Sequence, residues 1–398
     1  MSVDVTHIQE QLVRLNKIGI ALSSEQNLTD LLALILNEAR NFTNADAGSL
    51  YIREGNSLVF MVAQNETLSR QSKESFDSEP YKGKTLAISK ESLAGYIAAT
   101  GKILNIEDAY NLPENEEYHF YSDFDEENNY RTKSMLLIPL KEPKGDIVGV
   151  LQLINFLNKK GEIISFNREH EPLILSLASQ AAVSIKNARL AEELKKAYLD
   201  VIFRLSLAAE YRDDNTASHL HRMSNYSALI AKKLGLPAEE VELIKHASPM
   251  HDIGKIGISD SILLKPGKLT QDEFNEMKKH TIIGAKILAN GDTPLLKASE
   301  VIAQTHHEKF DGTGYPYQLK GKEIPLVGRI VALADVFDAL TTKRCYKPAF
   351  PVDESLAIIR RESNKHFDPK IVYAFFFALD EILSVYKKEY LDLAEEST

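Results

Sequence analysis

Between Leu173 and Arg212 the chain carries neither proline nor glycine, and its apolar residues recur at three- and four-residue spacing. With no breaker to end it, this stretch reads as one long helix. Val183, Leu190, Leu194, Ala197 and Val201 form a seam along it with the polar Asn187 in phase. That is the pattern of a coiled coil, in which a buried Asn sets register at some cost in stability; the alternative is a single helix packed on its own two domains. A helix of this length partitions the chain. Before it lie short β-prone segments such as Gly48–Arg53, Ser57–Val62, Ser134–Pro139 and Asp146–Asn155, with turn sequences Arg53-Glu-Gly-Asn and Pro143-Lys-Gly-Asp. After it the chain is almost all helical, punctuated by Gly235 and Pro237, by the capping box Thr270-Gln-Asp-Glu273 and by the helix start Asp368-Pro369. The expected architecture is a mixed α/β front, a long connecting helix and an all-α back. Residues 4–22 carry Val5, Ile8, Leu12, Leu15 and Ile18 at helical spacing, and residues 112–133 are acidic and read as a loop excursion over the domain surface.

Composition narrows what such a chain does. Lys and Arg number 47 against 57 Asp and Glu, a formal net charge of −10, which argues against coating DNA or anionic lipid through bulk charge. The longest apolar run is Ile371–Leu379, well short of the roughly 20 residues needed to span a bilayer. The first ten residues are polar, with no signal-peptide pattern. One cysteine, Cys345, excludes an internal disulfide and any Cys-rich zinc site. The expectation is a cytoplasmic protein with no DNA or membrane partner.

Seven of the eleven histidines fall between His219 and His307. The back half offers His219, the adjacent pair His251-Asp252, His280, the adjacent pair His306-His307, and Asp335. Imidazole and carboxylate without thiolate suit iron, manganese, zinc or nickel, and the donor set alone does not choose among them. Five imidazoles and two carboxylates exceed the needs of one catalytic ion that keeps an open position. They fit two ions sharing a carboxylate, an arrangement suited to hydrolysis of a phosphate ester. A structural site is closed and tight in sequence, unlike this dispersed set.

The run His251-Asp-Ile-Gly-Lys-Ile-Gly-Ile258, followed by Met277-Lys-Lys-His280 and Gly284, resembles the HD phosphohydrolase superfamily. His306-His-Glu-Lys-Phe-Asp-Gly-Thr-Gly-Tyr-Pro316 narrows the resemblance to the HD-GYP subfamily, named for the triplet at Gly314, Tyr315 and Pro316. Thr216-Ala-Ser-His219-Leu-His-Arg222, Ile324-Pro325, Arg329-Ile330, Ala334-Asp-Val-Phe-Asp-Ala-Leu-Thr341, Arg344 and Tyr346-Lys347 fall in family order. The resemblance implies a metal-dependent phosphodiesterase that hydrolyses cyclic di-GMP to pGpG and/or GMP. Carried over by position, His219, His251, Asp252 and Asp335 hold one ion, and Asp252, His280, His306 and His307 the other, with Asp252 bridging. The family's usual metals are iron and manganese. Lys255 reaches a phosphate oxygen or the departing sugar oxygen, and Arg344 and Lys347 grip phosphates or guanine. Gly312, Gly314, Tyr315 and Pro316 shape the loop beside the metals, the glycines supplying positive φ. Members with a third ion carry a carboxylate four residues before the first histidine ligand. Asn215 stands there with Asp214 beside it, so two ions are expected. Glu210 reads as a partner of the site or a surface acid, and Asp338 as an orienter of a histidine. His221 and His246 read as ordinary structural residues.

The front half resembles a GAF domain, a small-ligand sensor fold with an antiparallel sheet between helices. The resemblance rests on Ala45-Asp-Ala-Gly-Ser-Leu-Tyr51, Ala63-Gln-Asn65, Ser92-Leu-Ala-Gly-Tyr96, Thr100-Gly101, Ser134-Met-Leu-Leu-Ile-Pro139 and Gly149-Val-Leu-Gln-Leu-Ile-Asn155. Asn155-Phe156, Phe166 and His170-Glu171 match only in part the pattern of cyclic-nucleotide-binding members and read as packing; a GAF ligand is not named by these residues. The expected division is an N-terminal helix at 1–22, a GAF domain at 23–172, a connecting helix at 173–210 that pairs two copies in a homodimer, and an HD-GYP domain at 200–398. Two alternatives stay open: an inert cyclic-dinucleotide sensor or scaffold, and a hydrolase of another cyclic dinucleotide such as cyclic GMP-AMP.

Overall fold

A computed structural model of the chain describes residues 5–25, 27–76, 78–168, 171–213, 217–342 and 349–395. His170, Asp214, Asn215, Thr216, Arg344, Cys345, Tyr346 and Lys347 lie outside the described residues. The chain divides into two compact units, Met1–Leu194 and Lys195–Thr398.

The first unit runs α1 (Val5–Ser24), α2 (Leu28–Thr43), β1 (Ala45–Glu54), β2 (Ser57–Asn65), α3 (Glu66–Ser72), β3 (Thr85–Ala87), α4 (Leu93–Thr100), β4 (Leu104–Ile106), α5 (Asp123–Asn128), β5 (Met135–Lys141), β6 (Ile147–Leu157) and β7 (Ile163–Ile164), and then enters α6 (Glu171–Glu210). The strands form one antiparallel sheet in the order β3-β2-β1-β6-β5-β4, with β7 paired to β6. The unbroken apolar run of β5 reflects burial on both faces. Leu136, Ile138 and Leu140 join the core shared with α2 and Ile174, Leu177, Ala181 and Ile185 of α6, while Met135 and Leu137 pack with Ile97 of α4. α2 starts where Asn27 accepts the backbone N–H of Thr29, and ends at Asn44 in the left-handed conformation. Asn155 is buried at positive φ and binds the backbone of Lys133 and Arg131 and the Tyr130 hydroxyl, in keeping with its packing role.

One sequence expectation fails here. Residues 112–133 are not simply a surface loop: they contain α5, whose Asp125 is buried and accepts both the N–H and the hydroxyl of Thr132. The acidic composition concealed it because the exposed face supplies most of the charge.

The second unit is helical: α7 (Ala217–Lys233), α8 (Ala238–Ala247), a ten-residue 3-10 segment (Ser248–Gly257), α9 (Asp260–Leu263), α10 (Gln271–Met277), α11 (Lys279–Leu288), α12 (Pro294–Thr305), α13 (Leu326–Thr341), α14 (Val352–Arg361), α15 (Pro369–Phe377) and α16 (Leu379–Glu395). α13 runs through the core, where Phe337 meets Tyr226 of α7 and Phe375 of α15 edge to face. Thr270 and Glu273 form the expected capping box, and Asp368 caps α15 ahead of Pro369. Gly254 presses the 3-10 segment against α11: a Cβ there would stand 1.9 Å from the His280 carbonyl oxygen. That contact sets His251 and Asp252 facing His280. No described helix is long and apolar enough to cross a membrane.

Candidate metal centre

Five elements deliver side chains to one buried centre: α7 gives His219, the 3-10 segment His251 and Asp252, α11 His280, the end of α12 His306 and His307, and α13 Asp335. Asp252 lies in the middle. Its Oδ1 is 3.1 Å from His280 Nε2 and 3.3 Å from His306 Nε2, and its Oδ2 is 3.4 Å from His251 Nε2. Asp335 Oδ1 stands 3.9 Å from His219 Nε2 and 4.0 Å from His251 Nε2. Among the described residues, three sets have donor atoms mutually within 4.8 Å: Asp252, His280, His306 and His307; His219, His251 and Asp335; and Glu210, His251 and Asp252.

The back of each ring decides what the front presents. His251 Nδ1 meets the Ser248 carbonyl at 3.1 Å, His280 Nδ1 that of Met277 at 2.8 Å, and His306 Nδ1 that of Ile302 at 3.0 Å. A carbonyl only accepts, so each Nδ1 carries a proton, and each ring in its neutral form offers its Nε2 lone pair to the centre. His219 Nδ1 faces the Asp338 carboxylate at 2.7 Å to the same effect. The Nε2 atoms of His219, His251, His280 and His306 and Asp252 Oδ1 are all buried without a hydrogen-bond partner. Buried unpaired polar atoms cost on the order of 1–3 kcal/mol each. Here their lone pairs converge, and a shared cation relieves that cost. The residues therefore fit divalent metal, with nitrogen and oxygen donors and no sulfur.

Electrostatics agree. Burial by itself would lift the Asp252 carboxyl, but Lys255 and His251 outweigh it and hold it well below the usual carboxylate range. Burial drives His306 and, further, His307 down, keeping those imidazoles neutral. For His251 burial also pulls downward, yet Asp252, Asp335 and Glu210 outweigh it and raise it to about 9. The carboxylates demand positive charge at this point, and a proton or a metal ion meets that demand.

Around the centre, Lys255 Nζ lies 2.7 Å from Asp252 Oδ2 and 3.4 Å from Glu210 Oε1, and both Lys255 and Glu210 are buried. Glu210 is thus no surface acid. The Gly314-Tyr315-Pro316 loop folds back on the histidine pair: Tyr315 stacks on His307 with ring centroids 4.7 Å apart, and the Tyr315–Pro316 peptide is cis. Gly312 has the expected positive φ, but Gly314 does not. Glycine is required at 314 by proximity instead, since a Cβ would stand 2.2 Å from the Lys309 nitrogen. Glu308, overlooked in the sequence, anchors the loop by accepting the backbone N–H groups of Tyr317 and Leu319; its place next to a histidine pair was the available signal. His221 stacks on Phe203 and His246 sits 3.2 Å from Glu242, both away from the centre. Arg344 and Lys347 are outside the described residues.

Residues 204–371 match the HD domain family and residues 27–185 the GAF domain family. The chain joins a GAF domain to an HD domain. Over 197 residues, the chain is 47% identical to the cyclic di-GMP phosphodiesterase response regulator RpfG of Xanthomonas campestris pv. campestris, an alignment covering 49% of this chain and 52% of that one. It is 46% identical over 203 residues to a cyclic di-GMP phosphodiesterase of Thermotoga maritima (50% and 55% covered). A 3′3′-cGAMP-specific phosphodiesterase 2 of Vibrio cholerae is 39% identical over 203 residues (51% and 39% covered). The chain spans about half the length of the first two of these relatives.

Proposed function

We propose that the HD domain hydrolyses cyclic di-GMP to pGpG and/or GMP, using two divalent ions, iron or manganese, at the buried histidine–aspartate centre. The observation that carries the reading is the convergence of four unpartnered Nε2 atoms on Asp252 and Asp335, in a domain nearly half identical to phosphodiesterases of that name. His219, His251, Asp252 and Asp335 would hold one ion and Asp252, His280, His306 and His307 the other. Bound there, the pair would acidify a water and neutralise charge on the phosphate. Asp252 serves both positions because its two oxygens face different histidines. Lys255 supplies a fixed positive charge for a phosphate oxygen or the departing sugar oxygen. Tyr315, held on His307 by Gly314 and Pro316, forms a wall of the substrate side, and Arg344 and Lys347 grip phosphates or guanine. In this reading the GAF domain regulates turnover and binds a small molecule, the helix 173–210 pairs two chains, and the protein works in the cytoplasm, where a single cysteine suits a reducing compartment. The domain limits are those of the sequence: 1–22, 23–172, 173–210 and 200–398.

Because a 39%-identical relative is named for 3′3′-cGAMP, that dinucleotide is the second substrate to test. The full chain, purified anaerobically and analysed for metal, is given each dinucleotide and the products are separated by chromatography. Release of pGpG or GMP from cyclic di-GMP supports the proposal. Cleavage of 3′3′-cGAMP alone replaces the substrate, and no cleavage by metal-loaded protein leaves the inert sensor.

A further inference from the structure

A ten-residue 3-10 helix is unusual, because its hydrogen-bond geometry is poor and runs longer than about four residues are uncommon. The segment Ser248–Gly257 is one, and it carries His251, Asp252 and Lys255. At its C-terminal end the Lys255 carbonyl accepts the Ile258 N–H at 3.0 Å, and the carbonyls there take further donors from a single residue more than forty positions upstream. Arg212, in the turn that closes α6, donates through one terminal nitrogen to the carbonyls of Lys255 at 3.3 Å and Ile256 at 2.9 Å. Through the other it donates to the Ile258 carbonyl at 3.0 Å and pairs with Asp260. Two residues earlier, Glu210 contacts the Lys255 ammonium. Backbone and side chain of Lys255 are therefore both held from the end of one helix. A guanidinium suits this task, since its planar fork presents several donors at once and its charge favours a helix C-terminus.

We propose that Arg212 and Glu210 are positioning residues for the reaction: Arg212 caps the 3-10 segment and fixes the Lys255 backbone, and Glu210 aims the Lys255 ammonium beside Asp252. Neither touches a reacting atom. This deepens the phosphodiesterase reading and rests on it for its kinetic consequence, but its structural consequence is independent of any substrate.

The test uses the full chain bearing Arg212→Ala, Arg212→Lys or Glu210→Gln. Hydrogen exchange read by mass spectrometry reports the clamp directly. In Arg212→Ala, peptides covering residues 250–260 exchange at least tenfold faster, those from α7 and α12 are unchanged, and Arg212→Lys recovers only part of the protection. On cyclic di-GMP, Arg212→Ala and Glu210→Gln lower kcat on the order of 10- to 100-fold with little change in KM, while metal per chain by mass spectrometry equals wild type. Unchanged exchange in Arg212→Ala overturns the cap. Unchanged kcat in Glu210→Gln, or metal lost in proportion to rate, overturns the aiming role. Should Arg212→Ala not fold, Glu210→Gln, which keeps shape and removes charge, decides alone. Wild-type protein that cleaves no cyclic dinucleotide sinks the phosphodiesterase reading, while faster exchange in Arg212→Ala still upholds the clamp.

Discussion

Asp338 Oδ2 lies 2.7 Å from His219 Nδ1, and both side chains are buried. The same carboxylate takes a two-pronged bond from Arg222, Nε to Oδ1 at 2.6 Å and a terminal nitrogen to Oδ2 at 2.9 Å. Burial alone would raise the Asp338 carboxyl, but hydrogen bonds from His219 and Arg222 outweigh it and hold the group below its ordinary value. A charged residue thus stands behind the ring, and a second charged residue stands behind the first.

Asp338→Asn keeps the shape and removes the charge. Arg222, a buried cation, then loses the carboxylate it grips, which costs about 3 kcal/mol, and His219 competes with Arg222 for the single acceptor oxygen that remains. Metal affinity at the His219 site should drop roughly 10- to 100-fold. Titration with manganese, alongside urea unfolding of the metal-free protein, reads the two effects separately. Equal affinity in mutant and wild type would reject the orienting role.

Replacing His251 and Asp252 together with Ala removes the residues that face both halves of the centre. Hydrolysis should fall to background and metal content to below one ion per chain, with the far-ultraviolet circular dichroism of a helical protein retained. Turnover that survives the double substitution would remove these residues from the ligand set.

His366 gives a pH dependence of its own. Burial is the main cause, with Lys309 second, and together they bring its value down to about 4, while its ring stacks on Phe367 at 4.3 Å. The folded protein holds the ring neutral, so the unfolded chain takes up a proton first as pH falls below about 6.5. Its contribution to stability is complete above that pH and is lost on descent toward 4. Between pH 7.5 and pH 5 this amounts to about 2 kcal/mol. In urea unfolding at the two pH values, His366→Phe should lose less stability than wild type by about that amount. Parallel losses in both proteins would contradict it.

The sequence carried the architecture because period and punctuation change together: alternating strands end before Pro172, and no breaker interrupts the stretch from Leu173 to Arg212. The five histidines and two aspartates that the structure brings together were also legible, because imidazoles and carboxylates gathered without thiolate already point to one chemistry. The supports were harder to see. Glu308 and Arg212 act through backbone groups, and nothing in their identity says which carbonyl or N–H they will meet. Gly314 was assigned the wrong reason, since sequence does not distinguish a glycine needed for positive φ from one needed for close approach. The helix α5 was missed because six residues hold too little period to outweigh an acidic composition.

The seam on α6 makes the last prediction. Leu190, Leu194 and Val201 are 51%, 72% and 55% exposed in the single chain. Buried neighbours such as Ile185 and Ile202 on the same helix already serve the two unit cores. In the proposed homodimer these apolar side chains at heptad spacing, with Asn187 in phase, would be the surface on which a second copy of the helix packs. Each leucine buried in a pairing is worth on the order of 2 kcal/mol, and a glutamate in its place sets two like charges across the axis. Leu190→Glu with Leu194→Glu should move the protein from dimer to monomer in sedimentation velocity at micromolar concentration, with the hydrogen-exchange pattern of the HD domain unchanged. An identical sedimentation coefficient for mutant and wild type would show that this face pairs with nothing, and that any assembly of the chain lies elsewhere.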